Sequence, residues 1–65
     1  MKFENKLKDY RIKRKMTQEE LADKSGVSRT TIVLMENGDA KVAKTDTLMK
    51  LATALNAEVN DIFFA

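Results

Sequence analysis

The sequence predicts an all-α fold in one compact domain. Three observations support this prediction: apolar residues recur at intervals of three and four, Pro is absent, and only two of the 65 residues are Gly. The apolar share of 43% is enough for one small core, and a chain of this length cannot build two cores. We therefore expect one domain over residues 1–65.

Periodicity and capping residues place the first two helices. An apolar stripe at i, i+4 and i+7 predicts an amphipathic helix over about residues 3–14. Thr17 and Glu20 have the spacing of a capping box, which predicts that a second helix begins at Thr17. That helix ends before Gly26, since Gly adopts the left-handed conformation at little steric cost.

Caps and stop signals also delimit the later helices. Ser28 predicts the start of a third helix, which extends to Glu36. Thr45 is the predicted cap of the fourth helix, which has the most regular apolar stripe in the chain, and Asn56 is its predicted stop. Val59, Ile62 and Phe63 form a last short apolar stripe.

The connection between the second and third helices is the most informative segment. Only the neighbourhood of Gly26 separates them, and a turn of three or four residues that contains Gly joins two helices at a steep angle. Ala22 offers a small side chain where such helices cross. This spacing predicts a helix-turn-helix unit over about residues 17–36.

The composition excludes several kinds of site. Cys and His are both absent, which rules out disulfides, zinc sites built on Cys or His, and catalytic triads that need His. The adjacent carboxylates Glu19 and Glu20 are explained by capping and by the helix dipole. We therefore expect no enzyme activity, no catalytic residue, no metal and no cofactor.

Two further observations concern location and charge. No apolar run is long enough to span a membrane, and the charged segment MKFENKLKDY lacks the pattern of a signal peptide, so we expect a cytoplasmic protein without a membrane partner. The net charge is +2, but seven of the twelve Lys and Arg lie in residues 1–15. Such a basic segment fits either a polyanionic partner or a solvated helix face, and charge alone does not decide between them.

The whole pattern resembles a known family. The segment TQEELADKSGVSRTTIVLMENG, with LKDYRIKRK before it and TLMKLATALNAEVNDIF after it, resembles the Cro and lambda-repressor-like, or XRE-type, helix-turn-helix regulators. The resemblance implies a five-helix lambda-repressor-like domain, a homodimer that binds a double-stranded DNA operator, and a bacterial, phage or mobile-element origin. It favours a repressor of transcription.

The resemblance also implies which residues read bases. The start of the third helix enters the major groove in such proteins. Arg29 can donate twice to the O6 and N7 edge of guanine, whereas Leu34 could read only a thymine methyl group or the groove shape, or could pack against the connector that follows Gly38. The expected base-reading residues are Ser28, Arg29, Thr30 and Leu34.

Other residues are expected at DNA phosphates and in a structural pair. Gln18 lies in the first turn of the second helix, where unpaired N–H groups favour an anion. The resemblance implies that Arg11 pairs with Glu36 and so holds the first helix against the third. The expected phosphate-binding residues are Gln18, Asn37, Gly38, Lys41 and Lys44.

A dimer surface is expected at the C-terminal end. Phe63 fits the core stripe, so the adjacent Phe64 must point elsewhere. The expected dimer residues are Val59, Asn60, Phe64 and Ala65. Two alternatives to the repressor remain: an antitoxin that binds a toxin protein and regulates its own promoter, and a module that binds only protein.

Overall fold

The computed structural model describes residues 4–39 and 44–64, and these residues form five α-helices around one core. The predicted all-α, five-helix fold is confirmed. The helices are α1 Leu7–Lys13, α2 Gln18–Ser25, α3 Arg29–Glu36, α4 Thr45–Ala54 and α5 Val59–Phe63.

Helix α1 begins later than the predicted residue 3. Residues 1–3 lie outside the described part of the chain, and α1 starts at Leu7. The side-chain oxygen of Asn5 accepts a hydrogen bond from the N–H of Leu7 at 2.9 Å, and the N–H of Lys6 donates to the carbonyl of Ile62 at 2.8 Å. Because the N–H of Lys6 binds α5, tertiary contacts set the path of the described residues just before Leu7.

The capping box at the start of α2 is confirmed. The Thr17 hydroxyl accepts from the N–H of Glu20 at 3.0 Å, and the Glu20 carboxylate accepts from the N–H of Thr17 at 2.9 Å. The bond from the Thr17 backbone, followed by the contact with the Thr17 side chain, holds the pKa of Glu20 below its ordinary value. The box thus stabilises the ionised carboxylate at the positive end of the helix dipole.

The turn between α2 and α3 has the predicted geometry. Gly26 has φ +77°, and its N–H donates to the carbonyl of Ala22 at 2.9 Å, so α2 stops there. The hydroxyl of Ser25 accepts from the N–H of Val27 at 3.1 Å, and the Val27 side chain is buried. Ser28 then caps α3 through the N–H of Thr31 at 3.2 Å.

The predicted cap of α4 is wrong by one residue. The carbonyl of Lys44 already accepts from the N–H of Leu48 at 3.1 Å, so Lys44 is the cap position and Thr45 is the first residue of the helix. At the other end, Asn56 has φ +52°, the left-handed conformation that ends the helix. Lys15, after α1, is also left-handed at φ +57°, a conformation that no residue pattern predicted.

The core takes apolar side chains from all five helices. Val27 closes it beneath the α2–α3 turn, while Tyr10, Met16 and Ala22 pack at its edge. Because α2 packs against both α3 and α4, the core fixes the positions of α2 and α3. The outer surfaces of these two helices remain in solvent. None of the described helices is long and apolar enough to cross a membrane. The large side chains that are fully buried are Leu7, Leu21, Ile32, Met35, Leu51, Leu55 and Ile62.

Candidate nucleic-acid interface

An ion pair holds the C-terminal end of α3 against α1. Arg11 Nε donates to Glu36 Oε2 at 2.6 Å, and Arg11 Nη2 donates to Glu36 Oε1 at 3.1 Å. The two side chains are only 12% and 2% exposed, and Arg11 Nη1 also donates to the carbonyl of Met16 at 2.7 Å. This two-point geometry fixes the guanidinium plane, which a single contact would not do.

Gln18 joins the same carboxylate from α2. Its side-chain nitrogen donates to Glu36 Oε1 at 3.2 Å, and the side chain is half-buried. Glu36 therefore connects three helices, with Arg11 on α1 and Gln18 on α2. The amide of Gln18 carries two N–H groups, and the contact with Glu36 fixes the orientation in which the second one is presented.

A shallow cleft of about 410 Å³ lies where the N-terminal ends of α2 and α3 meet. Two guanidinium groups and one carboxylate belong to the residues around it. The lining residues are Arg11, Thr17, Gln18, Glu19 and Arg29. The cleft thus brings together a predicted phosphate-binding residue, Gln18, and a predicted base-reading residue, Arg29.

The first turn of α3 presents the predicted base-reading residues. Arg29 and Thr30 are exposed, and neither side chain has a hydrogen-bond or ionic partner within residues 4–39 and 44–64. Ser28 is also exposed, but its hydroxyl accepts from the N–H of Thr31 and donates to Thr31 Oγ1 at 2.8 Å. Ser28 therefore acts first as a cap, and the fork of Arg29 is the polar group that is available for a ligand.

Leu34 lies farther along α3 and is 43% exposed. Its neighbour Val33 is half-buried. The alternative in which Leu34 packs against the connector involves residues 40–43, which lie outside the described chain. The structure places Leu34 on an accessible part of α3, where an apolar side chain can contact a methyl group or exclude water.

At the end of α3, exposed side chains are available to a phosphate, whereas the backbone N–H groups are already bonded within the chain. The N–H of Asn37 donates to the carbonyl of Val33, and the N–H of Gly38 donates to that of Met35, both at 3.1 Å. Gly38 is buried, whereas the side chain of Asn37 is exposed. Lys44 is exposed at the start of α4, and Lys41 lies outside the described residues.

The predicted dimer residues divide into core and surface. Val59 is half-buried and packs against the core, so only part of its side chain is accessible to a partner. Asn60 is exposed, and Phe64 is 64% exposed directly after α5. Ala65 lies outside the described residues.

Asn5 makes a contact with α3 that the sequence did not reveal. Its side-chain nitrogen donates to the carbonyl of Met35 at 2.9 Å, which ties the chain before α1 to the last turn of α3. The side-chain oxygen of Asn5 binds the nearby N–H of Leu7, whereas only the fold brings its side-chain nitrogen to α3. The contact spans thirty residues of sequence, and no local spacing marks it.

Comparisons with known proteins agree with this geometry. The sequence matches the helix-turn-helix family over residues 7–62. An HTH-type transcriptional regulator of Archaeoglobus fulgidus is 44% identical over 62 residues, which are 89% of this chain and 80% of that protein. Another, of Methanocaldococcus jannaschii, is 44% identical over 65 residues, which are 94% of this chain and 91% of that protein.

Two solved structures share this fold. The restriction-modification controller protein C.AhdI of Aeromonas hydrophila has a TM-score of 0.79 and 34% identity, over 86% of this chain and 83% of that chain. A chain from the complex of the SinR and SinI proteins has a TM-score of 0.80 and 25% identity, over 85% of this chain and 53% of that chain. The chain therefore belongs to the XRE-type helix-turn-helix family of DNA-binding transcriptional regulators.

Proposed function

We propose that this regulator is a repressor that binds a two-fold DNA operator as a homodimer, with α3 of each subunit in the major groove. The observation that carries the proposal is Arg29. It stands at the first position of α3, exposed and without a partner in the described chain, on a helix that Glu36 and the core hold in place. A guanidinium in that position matches the paired acceptors on the edge of guanine.

Contacts with the DNA backbone would flank this base contact. Gln18 has a second amide N–H beyond the one that binds Glu36, and the exposed side chains of Asn37 and Lys44 lie at the far end of α3 and the start of α4. Phosphate contacts fix orientation without selecting sequence, so these residues would set the depth and angle of α3.

Two subunits are needed for adequate selectivity. One recognition helix reads only a few base pairs, and a genome offers many competing sites. Phe64 is the exposed apolar group at the C-terminal end, beside the exposed Asn60, and we assign the contact between subunits to this end. Since the apolar area there is small, we expect weak association in solution and alignment of the subunits by DNA. No described contact favours the antitoxin alternative, which stays a prediction.

Selection of bound duplexes from a random library, at one fixed salt concentration, tests the proposal. We expect enrichment of two inverted half-sites whose centres lie about one helical turn, or 10–10.5 base pairs, apart. Sedimentation of the protein with the selected duplex should give two chains per duplex. A reporter with that site across its promoter should lose expression in the presence of the protein. A library without enrichment would overturn the proposal, and increased expression would overturn repression alone.

A further inference from the structure

Glu19 is the carboxylate that lines the cleft; the helix dipole favours its charge in the first turn of α2, but the capping box does not use it. It lines the cleft together with Arg11 and Arg29. The capping box of α2 uses Glu20, not Glu19. In the described chain Glu19 forms no ion pair, and neither does Arg29, so the two opposite charges share the cleft without contact.

The position of Glu19 matters because Arg29 can bind two kinds of acceptor. A guanidinium fork fits the edge of guanine and fits a phosphate equally well. On a DNA sequence without the correct guanine, Arg29 would bind a phosphate beside the groove instead. Phosphate contacts supply most of the affinity for non-specific DNA. The negative charge of Glu19 repels a phosphate bound by Arg29 more strongly than it repels the edge of guanine, which carries only partial charges.

We propose that Glu19 is a specificity-determining residue, which disfavours phosphate binding by Arg29 and so weakens binding to the wrong sequences. The inference rests on the proposed base-reading role of Arg29. Glu19 then acts by repulsion, and discrimination arises from a penalty on the competitor as well as from a contact with the correct site. Its effect is electrostatic at an exposed position and must decrease as salt rises.

Glu20 supplies a matched control. The variants Glu19→Gln and Glu20→Gln remove the same charge from adjacent residues in the first turn of α2. Gln at position 20 retains the side-chain acceptor of the capping box. Glu20 borders a different groove, together with Met16, Asp23 and Lys24, so it lies away from Arg29. Circular dichroism should show both variants folded.

The experiment measures binding to the selected duplex and to a scrambled duplex, at two salt concentrations. At low salt we expect Glu19→Gln to tighten binding to the scrambled duplex about two- to fivefold, with a smaller gain on the selected duplex, so that the selectivity ratio falls. Glu20→Gln should change both duplexes equally and leave the ratio intact. In the Arg29→Ala background, the gain from Glu19→Gln on scrambled DNA should disappear, which shows that Glu19 acts through Arg29.

Equal gains on both duplexes, or the same ratio change for both variants, would overturn the role of Glu19. So would a gain that persists in the Arg29→Ala background. A wild-type protein without preference for any duplex is a distinct result, because it would overturn the proposed function and the role of Glu19 with it.

Discussion

Arg11 and Glu36 lie 25 residues apart in sequence, yet Arg11 Nε and Glu36 Oε2 are 2.6 Å apart in the fold. The carboxylate is nearly inaccessible to solvent and receives a third hydrogen bond, from Gln18. This arrangement places one negative charge where three helices meet. The loss of either ion would leave the other charge poorly solvated.

We therefore predict that Glu36→Ala lowers the free energy of unfolding by about 3 kcal/mol, at the lower end of the range for a broken buried pair. Thermal denaturation measures this loss. The matched variant Arg11→Met with Glu36→Leu removes both charges, and we expect it to recover most of the stability. A Glu36→Ala protein that melts like the wild type would contradict the structural role of the pair.

The stability cost of substitutions at Gly26 should come from its backbone conformation and not from steric crowding. Gly26 has φ +77°, and a Cβ atom built there would meet nothing within 4 Å. Gly26→Ala should cost about 1–2 kcal/mol of stability, the ordinary penalty for a left-handed residue. Gly26→Asn should cost less, and the β-branched Gly26→Val should cost more. Melting curves that do not rank Asn above Ala and Val would refute this account.

The features that could be predicted best from the sequence are helix caps and turns, which depend on residues close together in the chain. Thr17 with Glu20, and Gly26 at the turn, act over a few residues, so their spacing was sufficient to predict their geometry. Asn5 and Gln18 bind partners 30 and 18 residues away, and only the packed fold creates those contacts. The cap of α4 was misplaced because Thr is the better capping residue by type, whereas the structure uses the backbone of Lys44.

Loss of one positive charge should have different effects at Arg29 and at Lys44. Arg29→Ala should reduce discrimination between the correct and a wrong base pair by about 1–3 kcal/mol, because a base contact is lost. Lys44→Ala should weaken binding to all duplexes alike and reduce the slope of log K against log salt by about one unit or less. Titrations of both variants on selected and scrambled duplexes measure the two effects. Unchanged sequence preference in Arg29→Ala would remove its base-reading role.

The capping box makes part of the stability dependent on pH. The pKa of Glu20 is lowered in the folded chain, so the folded state binds this proton more weakly than the unfolded state. The contribution is complete above the unfolded carboxyl pKa, about 4.3, and is lost as pH falls through the lower folded value. Wild type should therefore lose melting temperature relative to Glu20→Gln as the pH falls below about 4.3. A difference in melting temperature that stays constant with pH would contradict this prediction.

Phe64→Asp should separate dimer formation from DNA contact. The substitution places a charge at the exposed C-terminal end, so cooperativity on a full operator should fall while binding to an isolated half-site is retained. Ile12→Asp is the matched control, since Ile12 is also exposed, at 55% against 64%, but lies on α1. Titrations on full and half operators measure cooperativity. Equal cooperativity in wild type and Phe64→Asp would remove Phe64 from the dimer surface.

Two adjacent residues, Asn5 and Lys6, connect α3 with α5. The side chain of Asn5 donates to the last turn of α3, and the backbone of Lys6 donates to Ile62 on α5. In the proposed dimer, these two residues would fix the position of α3 relative to α5, and α5 lies next to the proposed contact between subunits. The distance between the two recognition helices then has little freedom. Operators with one base pair inserted or deleted between half-sites should bind only one subunit well.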